Sequence, residues 1–78
     1  MRKQITIYYK KSRQKECVYK RVITQEDNDY CIVNYWKQSN NIKEYPSNLK
    51  LSETSLNKYI LQCRKEKNFD HIEIQNVL

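Results

Sequence analysis

Lys and Arg crowd the start of this chain. Arg2, Lys3, Lys10, Lys11, Arg13, Lys15, Lys20 and Arg21 face a single acid, Glu16, so residues 1–21 carry +7. The remaining residues hold seven cations and eight acids, so the whole net charge of +6 arises in the first stretch. Cations of this kind displace condensed counterions when they meet phosphates. A charge asymmetry along one chain points to a polyanionic partner, either nucleic acid or an acidic protein or nucleoprotein surface. Against that stands the simpler account that Lys merely keeps a polar loop wet. The concentration of charge favours binding through Lys10, Lys11, Arg13, Lys15, Lys20 and Arg21.

The aromatic residues are the second group able to do chemistry. Tyr8, Tyr9, Tyr19, Tyr30, Tyr35, Trp36 and Tyr45 all fall in segments with strand character. Alternation along a strand sends such residues to both faces. A Tyr on an exposed sheet face beside Lys or Arg can stack an unpaired base, at roughly 1–3 kcal/mol per base. Tyr also serves as core area with a wet hydroxyl, and it is enriched at protein interfaces. Ile5 and Ile7 claim one face of the first strand, which leaves Tyr8 and Tyr19 as the expected exposed pair.

Metal and catalytic chemistry have less support. Cys17, Cys31, Cys63 and His71 have the composition of a tetrahedral zinc set, but structural zinc sites usually bring two ligands close together in sequence. Dispersed as they are, the cysteines read as small buried hydrophobes. His71 follows Asp70 directly, yet adjacency in sequence does not make a nucleophile–base arrangement. No cofactor, metal or enzymatic activity is expected. The chain has no Gly, which excludes the P-loop, the dinucleotide fingerprint and the nucleophile elbow together.

The elements that must position these groups follow from periodicity. Residues 4–9 and 17–24 read as two strands joined by a cationic loop, a basic β-hairpin. Residues 30–37 are apolar on both faces, as in an interior strand. Residues 42–45 suggest a short fourth strand ended by Pro46, which has no ladder donor. Ser52 is suited to be an N-cap, Leu51 and Leu56 form a hydrophobic staple, and Leu56, Tyr59, Ile60 and Cys63 lie at helical spacing. Asn68 suits a left-handed stop, and residues 71–77 read as a last strand with Ile72 and Ile74 facing the core. Turns must use Asn, Asp and Ser.

The expected fold is α+β: a small antiparallel sheet in β-β-β-(β)-α-β order with one helix packed on one face. Seventy-eight residues make a single small domain. Three Cys is an odd count that argues against a secreted disulfide framework. Nothing resembles a signal peptide, and no run of about 18 apolar residues could span a bilayer. A cytoplasmic protein without a membrane partner is expected, as a monomer or as a dimer paired through a sheet edge.

In size and in its richness in Lys, Asn, Ile and Tyr, the chain resembles the accessory proteins of phages and mobile elements of AT-rich bacteria. That resemblance implies a host-cytoplasmic setting and a second class of function. The chain would then be a stoichiometric protein-binding inhibitor of a host enzyme or defence complex, as anti-CRISPR proteins are. The first expectation remains a non-enzymatic nucleic-acid-binding module that uses the basic hairpin, with Tyr8 and Tyr19 adding stacking.

Overall fold

The computed structural model describes residues 2–10, 16–38 and 40–77. Its elements are β1 (Arg2–Tyr9), β2 (Glu16–Glu26), β3 (Asp29–Gln38), β4 (Asn41–Ser52), α1 (Glu53–Arg64) and β5 (Phe69–Val77). They form a five-stranded sheet in the order β4-β3-β2-β1-β5. Every neighbouring pair is antiparallel. The first four strands meander, and α1 returns the chain so that β5 pairs with β1. This is the α+β arrangement implied by the hydrophobic pattern.

Without Gly, left-handed backbone falls to residues that tolerate it. Asp27 adopts φ 54° in the two-residue turn between the paired Glu26 and Asp29. Asn68 adopts φ 73°. Short polar side chains visit this region at the least cost among residues with a Cβ. Asn68 does not end the helix directly. The C-cap is Lys65, whose N–H donates to the Gln62 carbonyl while the Glu66 N–H donates to that of Cys63, and Asn68 follows in the next turn.

Alternation sets the core. Ile5 and Ile7 of β1, Ile23 of β2, Tyr30 and Ile32 of β3 and Leu51 of β4 are buried against Leu56 and Cys63 of α1. Burying a side chain of the Leu or Ile size contributes about 1.5–3 kcal/mol. The helix start follows the local pattern. Ser52 Oγ accepts from the Ser55 N–H at 3.2 Å, and Leu51 and Leu56 are both buried. Tyr30 enters the core whole because its hydroxyl donates to Glu53 Oε2 at 2.7 Å.

Three expectations are corrected. Pro46 does not end β4, which continues to Ser52. The register with β3 shifts there, Cys31 pairing with Lys50 and Val33 with Pro46. An edge strand with such an irregularity tolerates a residue lacking N–H. Ile74 points to the helix side of the sheet opposite Ile5 but stays 61% exposed, because α1 packs toward β3 and β4 and leaves β5 uncovered. Of the cysteines only Cys63 is fully buried; Cys17 and Cys31 are half-buried. Among the described residues, no helix is long and apolar enough to cross a membrane.

Candidate nucleic-acid interface

The helix covers one face of the sheet and leaves the other open. Pairing registers place Thr6, Tyr8, Lys20, Val22, Val33 and Tyr35 on the open face, opposite the buried Ile5, Ile7, Ile23 and Ile32. One transverse row crosses all five strands: Glu44 beside Tyr35, Tyr35 beside Lys20, Lys20 beside Tyr8, and Tyr8 beside His71.

The row is internally ordered. The Lys20 ammonium lies 4.9 Å from the Tyr35 ring centre and 5.6 Å from that of Tyr19. Contacts of this kind are worth about 0.5–1 kcal/mol at exposed sites. Tyr8 and His71 stack with ring centres 4.7 Å apart and planes 13° from parallel. His71 Nδ1 lies 2.9 Å from Asp70 Oδ2, and Nε2 lies 3.5 Å from Glu73 Oε1. The bond to Asp70, the largest influence, raises the imidazole pKa above its ordinary value. The hydroxyl pKa values of Tyr8 and Tyr35 are raised too, first by burial and then by the nearby carboxylates of Glu73 and Glu44 respectively. Acids thus close the row at both sheet edges and aromatic rings flank a cation at its centre.

Tyr19 owes its place to a bulge. The β2–β3 register passes from Val18–Trp36 to Lys20–Tyr35, so Tyr19 is the extra residue. A bulge of this type bends its strand and re-aims a side chain. Pairing of β1 with β2 stops at Tyr8–Lys20, while β2 remains paired with β3 down to Glu16. The two strands therefore part beyond Tyr8, and two adjoining clefts open there. One, of about 90 Å³, is lined by Tyr9, Lys10, Cys17, Val18, Tyr19 and Lys37. The other, of about 190 Å³, shares Tyr9, Cys17 and Val18 and adds Trp36, Glu66, Lys67 and Asn68. Lys10 is held here because its N–H donates to the Asn68 carbonyl at 2.6 Å.

Of the residues expected to bind, Tyr8, Tyr19 and Lys20 meet on the open face. Lys10 stands at its hairpin end. Lys11, Arg13 and Lys15 lie outside the described residues. Arg21 is set apart from the others. It shares the helix side with Ile7 and Ile23, and its side chain is only 13% exposed. Its Nε donates to Asn34 Oδ1 at 2.6 Å, and a terminal nitrogen donates to Glu66 Oε1 at 2.9 Å and contacts Cys63 Sγ at 3.1 Å. The rings of Tyr9 and Tyr59 flank the guanidinium at 5.6 and 5.8 Å. Burial opposes the charge on Arg21, but the surrounding Tyr59, Tyr9, Cys63 and Glu66 outweigh it and hold the pKa above its usual value.

Sequence reasoning missed Tyr35, His71, Trp36 and Lys37 as members of these surfaces. Parity alone pairs Arg21 with Ile23 on the core face, a signal that was present in the sequence. The placement of Tyr35 and His71 needed the inter-strand registers. The zinc alternative finds no geometry: among the described residues, no three His, Cys, Asp or Glu side chains cluster to hold a metal. No protein-family model, curated protein or solved structure matches the chain.

Proposed function

We propose that this chain is a non-enzymatic binding module for single-stranded nucleic acid, which it meets with the open face of its sheet and the hairpin end beside it. The observation that carries this reading is the central row, in which the Lys20 ammonium lies among Tyr19 and Tyr35 with Tyr8 and His71 alongside. A sheet face of rings and cations serves unpaired bases better than a duplex, whose bases are already stacked. The acids Glu44 and Glu73 at the sheet edges direct phosphates toward Lys20 and the hairpin end. There Lys10 and Lys37 supply the charge, with the cationic stretch 11–15 joining the two strands in sequence. Arg21, engaged with Glu66, contributes to the fold and not to the phosphate contact.

The test is a titration against labelled single- and double-stranded DNA and RNA at about 50 and about 200 mM salt. Single strands are expected to bind more tightly, with affinity falling steeply as salt rises. A Tyr35→Ala variant should lose about 1–3 kcal/mol. If neither strand form binds, or if Tyr35→Ala and Lys20→Glu bind as well as the parent protein, the reading is wrong.

One observation favours a second reading, a protein-binding inhibitor of the anti-CRISPR type. The outer strand β4 exposes Ile42, Tyr45 and Leu49, and an edge strand with apolar side chains is a template for strand addition. Binding of that kind would be only weakly sensitive to salt and would survive Tyr35→Ala.

A further inference from the structure

The paired clefts at the hairpin end have a composition different from that of the open row. Tyr9, Tyr19 and Trp36 give them aromatic walls, and Lys10, Lys37 and Lys67 stand around them. Among their described lining residues the one acid, Glu66, is already compensated: Arg21 donates to it at 2.9 Å and the Tyr9 hydroxyl at 3.1 Å. Those bonds, with the guanidinium lying over the Tyr9 ring, also fix that wall in place. The balance left for a ligand is cationic and aromatic.

We propose that these clefts form a seat for one unpaired nucleotide, with the base against Tyr9 and Trp36 and the phosphate held by Lys10, Lys37 and Lys67. Size supports one nucleotide over a larger cofactor. Volumes of about 90 and 190 Å³ fall below the roughly 300–1,000 Å³ of ordinary small-molecule pockets. The seat lies where β1–β2 pairing stops at Tyr8–Lys20, beside the bulge at Tyr19, so a strand crossing the open face would reach its Tyr19 and Lys37 side at the hairpin end. This inference deepens the single-strand reading and rests on it for its partner. The binding of a free nucleotide can nevertheless be measured without any oligonucleotide.

Trp36 is the only tryptophan in the chain, so its fluorescence reports on the seat directly. The full chain is titrated with a nucleoside monophosphate, the matching nucleoside and inorganic phosphate. The monophosphate should change Trp36 emission saturably. The nucleoside should bind about tenfold more weakly for want of the charged contact, and phosphate alone should leave the emission unchanged. Lys37→Ala should weaken the monophosphate by several-fold. Lys58→Ala, on the exposed side of α1, should not. Cys17 lines both clefts, so the monophosphate should also slow alkylation of its thiol, read by mass spectrometry against Cys31 in the same molecule. Emission and Cys17 alkylation both unmoved at about 10 mM monophosphate would overturn the seat. Phosphate alone reproducing the whole effect would overturn it as well, leaving an anion site without base recognition. Oligonucleotide binding that persists in either case would leave the open-face reading standing. Saturable monophosphate binding without oligonucleotide binding would keep the seat and remove that reading.

Discussion

The Arg21 guanidinium donates to the Glu66 carboxylate at 2.9 Å, tying the middle of β2 to the turn that follows α1. Lys20, the preceding residue, points out of the opposite face toward the rings of Tyr19 and Tyr35. Two adjacent cations in one basic stretch thus do different work. One is held in a half-buried cluster with Tyr9, Tyr59, Asn34 and Cys63; the other lies over the rings of the open face.

That division predicts opposite mutational profiles. Arg21→Ala leaves Glu66 and Asn34 short of a partner and takes the cation from over the Tyr9 and Tyr59 rings, and should cost about 1–3 kcal/mol after allowance for the partial exposure of Glu66. Lys20→Ala should stay within about 0.5 kcal/mol of the parent protein. Urea denaturation of both variants checks this. Equal stabilities would mean that the Arg21–Glu66 pair contributes nothing to the fold.

The same cluster predicts a loss of stability in alkali. Burial, the largest influence, pushes the Tyr59 hydroxyl up to about 12 from the usual 10.0, against the opposing charge of Arg21. Burial raises Tyr9 further. In the folded state both hydroxyls keep protons that the unfolded chain releases near pH 10.0. The folded form therefore binds more protons over this window, and stability falls as pH rises through it. The contribution is complete below the unfolded value and is lost through the folded one. The urea midpoint should drop between about pH 10 and about pH 12. A Tyr9→Phe, Tyr59→Phe double variant should drop less. Parallel curves for the two proteins would contradict the assignment.

His71 offers a milder titration. Its hydrogen bond to Asp70, first, and then the Glu73 carboxylate raise the imidazole pKa above 6.5. Stability linked to this group is present below pH 6.5 and fades as pH rises through the folded-state value. An NMR titration of the single histidine should show a midpoint above 6.5, and Asp70→Asn should lower it. A midpoint at or below 6.5 in the parent protein would show that the exposed pair does not persist in solution.

What was legible in the sequence was local. The alternation of Ile5 and Ile7 marked β1 and its buried face. Ser52, Leu51 and Leu56 marked the helix start, because capping and the staple involve residues only a few positions apart. The same locality assigned Tyr8 to the face away from Ile5 and Ile7, whereas Tyr19 joins that face through a bulge that only the pairing with β3 reveals. Pro46 misled for the same reason: a missing N–H ends a strand only where a neighbour needs the donor, and an outer strand with a shifted register has no such need.

The sequence by itself determined the order of elements, the apolar stripes and the placing of the net charge in the first 21 residues. Only the tertiary structure decided which strands are neighbours. That choice joined Glu44, Tyr35, Lys20, Tyr8 and His71 into one row from residues as far apart as Tyr8 and His71 in the chain. It also closed Arg21 onto Glu66, and opened the clefts where β2 leaves β1. The physical reason is that period 2 assigns a residue to a face but says nothing of its register with another strand. Register is chosen by how the two apolar faces fit together beneath the helix.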